Sequence, residues 1–97
     1  MKRFLIVGNW KMNGQSAVNA DLLGALLHPS PARDRVDMAV CVPAPYLAQA
    51  QQICQASDLV WGAQDVSAHE QGAYTGEVSA AMLHDFNTRF VLVGHSE

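Results

Sequence analysis

Apolar positions along this chain fall into two alternating periods. Phe4 to Gly8 is a continuous apolar run rich in strand formers and short enough to be a strand buried on both faces. From Ser16 to His28 the apolar residues Val18, Leu22, Leu23, Leu26 and Leu27 recur at helical spacing until Pro29 ends the pattern. Val36, Met38, Val40 and Val42 alternate with Asp37, Ala39 and Cys41, which predicts a second strand. Pro45 suits the first turn of a second helix, and Leu47, Ala50, Ile53 and Cys54 give that helix one apolar stripe. Leu59 to Ala63 is a third strand. A long polar stretch, Gln64 to Glu77, then leads to a short helix marked by Val78, Met82 and Phe86, with Asn87 as its terminator. Phe90 to Val93 is the fourth strand, followed by Gly94-His95-Ser96-Glu97.

The order is strand, helix, strand, helix, strand, helix, strand, without a linker, a repeat or a low-complexity segment. Such alternation predicts an α/β fold, a single unit over 1–97 whose parallel strands are joined by three helices. Periodicity leaves two architectures open, a doubly wound open sheet and a closed eight-stranded barrel. Four strand–helix units fill about half of the roughly 250 residues that such a barrel usually takes.

Composition narrows the function. With 49% hydrophobic and 15% charged residues the chain is a folded domain, not a disordered or fibrous one. Net charge is −3, and the six Lys and Arg residues form no run, which argues against nucleic acid or an anionic membrane as partner. Lys2 and Arg3 before the first apolar run have the charge order of a signal peptide. The run is too short for one, and Asn9-Trp10-Lys11 stops it at once. Cys41 and Cys54 lie in apolar surroundings without metal-ligand spacing and read as reduced core thiols. A cytoplasmic location is the expectation.

In either architecture ligands sit at the carboxyl ends of the strands. The first such loop, Asn9-Trp10-Lys11-Met12-Asn13-Gly14, offers two amides and a cation suited to a phosphate or enolate oxygen. It has neither of the glycine signatures of nucleotide-binding loops. The loop Gln64 to Glu77 is longer than the usual strand-to-helix connection of about 2–6 residues, and is either functional or a loose insertion. His28, His69 and His84 lie on helices or in mid-loop and read as solvated. His95 differs, because it directly follows the fourth strand and would present its imidazole at the mouth of the site.

Three stretches, Gly8-Asn9-Trp10-Lys11-Met12-Asn13-Gly14, Gly72-Ala73-Tyr74-Thr75-Gly76-Glu77 and Val93-Gly94-His95-Ser96-Glu97, resemble the triosephosphate isomerase family in that family's order and spacing. The resemblance implies the first half of a (β/α)8 TIM barrel, with strands 1–4, three intervening helices and the remainder of the barrel absent. It also implies a cytoplasmic enzyme of glycolysis and gluconeogenesis, a homodimer that interconverts dihydroxyacetone phosphate and glyceraldehyde 3-phosphate through an enediolate. Cofactors and metals are not expected, and the only small-molecule partner is the phosphorylated triose.

By the same resemblance Lys11 supplies positive charge to the substrate and Asn9 helps to hold it. His95 is the electrophile that polarises the carbonyl, with Glu97 and Ser96 in supporting positions. Tyr74, Thr75 and Gly76 are expected at the dimer interface, Thr75 crossing to support the neighbour's lysine loop. Glu70, Glu77 and Glu97 are the only glutamates, and none matches the family's proton-abstracting base. The mobile lid and later phosphate loops are also missing, so the isolated chain is expected to be inactive. Two non-enzymatic readings remain at this point: an α/β module that binds a phosphorylated ligand through Lys11 and His95, and a half-barrel that completes itself with another copy.

Overall fold

The computed structural model describes residues 2–28 and 31–97. Its elements run β1 (Phe4–Asn9), α1 (Ser16–Leu26), β2 (Val36–Cys41), α2 (Leu47–Cys54), β3 (Val60–Ala63), α3 (Ala80–His84) and β4 (Phe90–Val91), with short 3₁₀ turns at Pro31–Arg35 and Ala44–Tyr46. The four strands form one parallel sheet in the order β1-β2-β3-β4, with helices as the crossovers. Register pairs Phe4 with Val36 and Asn9 with Cys41, then Cys41 with Gly62, then Gly62 with Phe90. The sheet is the curled first half of an eight-stranded parallel barrel, the architecture expected from the resemblance.

The core lies between the sheet and the helices. Val40 and Trp61 from the strands, Val42 just after β2 and Leu59 just before β3 form one cluster with Leu23 of α1, Leu47, Ala50 and Cys54 of α2, and Leu83 of α3. Each large apolar side chain removed from water there contributes about 1.5–3 kcal/mol. The Trp61 indole also donates to the carbonyl of Phe86 at 2.6 Å, which ties β3 to the end of α3. Both cysteines are buried and free, and desolvation pushes their thiols above the usual range.

At the amino-terminal ends of the strands, Arg3 donates to the Asp37 carboxylate at 2.9 Å and to the carbonyls of Asp34 and Val36. The hydrogen bond from Arg3 holds the Asp37 carboxyl below its usual range. Arg33 donates at 2.7 Å to the carbonyl of Leu26, which closes the last turn of α1, and pairs with Asp58.

Several expectations change at this level. The apolar run of β1 predicts a strand buried on both faces, yet Phe4 and Ile6 are 57% and 52% exposed and every one of its residues is open. Among the described residues the strand is at the edge of the sheet, and only β2 pairs with it. α1 ends at Leu26, two residues short of His28, and Pro29 lies outside the described residues. Its buried face is offset from the expected stripe: Asn19 and Leu23 are inside, whereas Val18 and Leu22 are exposed. α3 begins after Val78 because the Ser79 hydroxyl accepts from the Met82 amide at 3.2 Å and caps the helix. The helix ends at His84, short of both Phe86 and the expected terminator Asn87, which takes a left-handed conformation at φ 57° in the turn that follows. β4 is regular only over Phe90–Val91, although the Leu92 amide still reaches the Ala63 carbonyl at 3.0 Å.

Candidate functional site

The candidate residues sit where β1, β3 and β4 end, at one rim of the sheet. Asn9 is the last residue of β1, and its side-chain oxygen accepts the Lys11 amide at 2.8 Å. That bond bends the chain so sharply that Lys11 takes φ 54°, a left-handed conformation costing a lysine about 1–2 kcal/mol. Strain of this kind persists where the surroundings impose it, and it gathers at functional sites. Trp10 anchors the same turn, donating its amide to Cys41 and packing against the core, and Asn13 closes the turn with a 2.9 Å bond to the Trp10 carbonyl.

From the far edge of the sheet, the segment after β4 returns to the same place. The Lys11 ammonium lies 3.7 Å from the Glu97 carboxylate, and both groups are half exposed. Glu97 sits below the usual carboxylate range, chiefly through a hydrogen bond from its own backbone amide and next through the Lys11 charge. The His95 charge and the Ser96 hydroxyl, which donates to Glu97 at 3.4 Å, act in the same direction. The His95 Nε2 lies 2.9 Å from the carbonyl oxygen of Gln64. A carbonyl only accepts, so Nε2 carries a proton and is the donor in this contact.

Gln64 is the residue that sequence reasoning passed over. It follows β3 directly; its carbonyl receives His95, and its side-chain amide donates to the Cys41 carbonyl at 3.0 Å and approaches the Asn9 oxygen at 3.5 Å. One residue therefore links the ends of β1, β2 and β4. A glutamine opening a polar loop gives no periodic or motif signal; only its place directly after a strand pointed to it.

Asn9, Lys11, His95, Ser96 and Glu97 thus share one rim, while Tyr74, Thr75 and Gly76 lie apart on the Gln64–Glu77 loop. That loop is an ordered structure. Its base is closed by a 2.8 Å bond from the Ser67 amide to Val78, and its tip by one of 2.9 Å from Glu77 to Tyr74. The Tyr74 ring stacks on His69 with centroids 4.0 Å apart and planes parallel within 1°. Gly72, at φ 135°, leaves the space for it: a Cβ there would meet the Tyr74 ring at 2.9 Å. Thr75 and Gly76 are exposed.

Among the described residues, no helix is long and apolar enough to cross a membrane. Residues 4–97 match the family model for triosephosphate isomerase. The chain is 57% identical over its whole length to a triosephosphate isomerase of Thiobacillus denitrificans and 61% identical to one of Delftia acidovorans. It spans only 38% and 39% of those proteins. A crystal structure of triosephosphate isomerase from Bartonella henselae superposes with a TM-score of 0.80 at 33% identity, over 97% of this chain and 38% of that one. On fold, rim geometry and relatedness together, the chain belongs to the triosephosphate isomerase family.

Proposed function

We propose that these 97 residues supply the cation and the electrophile of a triose-phosphate isomerase site, for a cytoplasmic homodimer that interconverts dihydroxyacetone phosphate and glyceraldehyde 3-phosphate. The observation that carries this reading is the meeting of Lys11 and His95, from opposite edges of the sheet, around Glu97 and Gln64 at one rim. Lys11 attracts the anionic substrate, and Glu97 holds the ammonium in place. Asn9 commits its oxygen to the Lys11 amide, which leaves its NH2 for a substrate oxygen.

His95 carries a proton on Nε2, the nitrogen that donates to a carbonyl oxygen acquiring charge in the enediolate. In the free site that proton is engaged by the Gln64 carbonyl. Substrate binding therefore exchanges one acceptor oxygen for another. Proton abstraction from carbon needs a free base, and the carboxylate at the rim, Glu97, is committed to Lys11, so the chain on its own is expected to be inactive. Tyr74, Thr75 and Gly76 dock against a second copy. An apolar groove beside the lysine loop fits that role, lined by Trp10, Gly14, Val18 and Leu22, and Met12 of the same loop is 96% exposed.

The test joins the chain to the remaining carboxyl-terminal portion of the Delftia acidovorans relative in one polypeptide and follows turnover in a coupled assay. The fusion is expected to be active and the 97-residue chain inactive. His95→Gln and Lys11→Met should each lower kcat of the fusion by about 10²–10³-fold. Turnover by the chain alone, or a fusion indifferent to both substitutions, overturns the reading.

A further inference from the structure

Asn19 is a buried side-chain amide on α1, 2% exposed, at a place where the helix pattern calls for an apolar residue. Buried polar groups of this kind persist only when their bonds are made, and here they are. Its oxygen accepts the Gln15 amide at 3.2 Å, and its NH2 donates to the Gln49 side chain at 3.1 Å. Gln49, on α2, in turn donates to the Ser16 carbonyl at 2.7 Å. Beside them the Tyr46 hydroxyl donates to the Gly14 carbonyl at 3.0 Å. The Tyr46 ring fills the place of any side chain at Gly14, where a Cβ would lie 2.6 Å from it.

Gly14 and Gln15 end the lysine loop and Ser16 opens α1, and each of the three has a backbone group held by one of these side chains. Gln15, the residue before α1, provides no side-chain cap of its own. At its other end the loop is fixed by the Trp10 amide on Cys41. Lys11 takes its strained conformation between two anchored ends.

We propose that Tyr46, Asn19 and Gln49 form a clasp whose function is to position Lys11: by fixing the downstream end of its loop they hold the ammonium over the strand ends. The inference rests on the functional reading above. An apolar residue at 19 would pack α1 on α2 equally well but would leave the Gln15 amide unpaired. The bonds from the clasp to the loop are thus the part that helix packing does not require.

The test reads where Lys11 stands through the carbon-13 titration of the Glu97 carboxyl in the 97-residue chain. Lys11→Met defines the full effect: without the ammonium the Glu97 midpoint rises, because a lowered carboxyl loses one of its causes. Tyr46→Phe, which removes one hydroxyl, and Asn19→Leu should each produce most of that rise with the far-ultraviolet circular dichroism unchanged. In the Lys11→Met background Tyr46→Phe should add nothing, because the clasp acts through the lysine. A Tyr46→Phe chain that folds and titrates as the parent does overturns the clasp, as does an equal rise with and without Lys11. If Asn19→Leu does not fold, Gln49→Met takes its place in the series. A Glu97 midpoint that Lys11→Met leaves unmoved refutes the rim pairing itself, and with it both proposals.

Discussion

Gly62 is the point where the sheet has no room for a side chain. A Cβ there would fall 2.3 Å from the Phe90 carbonyl oxygen and 3.1 Å from the Cys41 sulfur. β3 and β4 are joined over only two register pairs, Gly62–Phe90 and Ala63–Val91, so the strain of a methyl group falls on the pairing that places His95. Gly62→Ala is expected to destabilise the chain by about 1–3 kcal/mol, the usual cost of overpacking. Gly24→Ala, on α1 with nothing within 4 Å of its Cβ position, should instead stabilise by about 0.5–1 kcal/mol. Urea denaturation of the two variants checks both signs. At this scale the sequence made Lys11 and His95 legible, since each follows a strand end within a motif. It did not make Gln64 or Asn19 legible. Their roles arise from hydrogen bonds between residues 23–55 positions apart and 30 apart, and those separations leave no local pattern.

Among the elements, all four strands and three helices were readable from the alternation of period, whereas their limits and exposure were not. β1 shows why: a run of Phe, Leu, Ile and Val has the same composition whether its neighbours are present or not, and only topology decides whether it is covered. The Gln64–Glu77 loop shows the reverse. Its length left a loose insertion open, yet it closes on itself through Ser67, Val78, Tyr74 and Glu77, bonds that composition does not announce. The His69–Tyr74 stack should contribute about 0.5–1.5 kcal/mol to that closure. Tyr74→Ala is therefore expected to raise the open population of the loop by about 2–12-fold. Limited digestion with a glutamate-specific protease reads this as faster cleavage after Glu70, because cleavage follows the open fraction. An unchanged rate means that the backbone bonds alone hold the loop.

The whole molecule is larger than its mass requires. A closed monomer of 10.5 kDa exposes about 5,400 Å², and this chain exposes 6833 Å². Its radius of gyration is 14.1 Å, against about 12.5 Å for a compact domain of this length. The excess, about 1,400 Å², exceeds the roughly 800 Å² that each partner buries in an ordinary stable interface. Among the described residues β1 and β4 are the edge strands of the sheet, and Phe4, Leu5, Ile6 and Val7 of β1 and Phe90 of β4 are exposed. Unpaired parallel edges of this character recruit other strands. The 97-residue chain is thus expected to associate as its concentration rises through the micromolar range, with sedimentation velocity showing a growing weight-average mass. Ile6→Lys places a charge on the β1 edge and should lower that mass without loss of β-sheet dichroism. A chain that stays monomeric throughout and unfolds in one steep transition would show that the open edges are satisfied within a single copy, and that the curl of the sheet is tighter than its surface area implies.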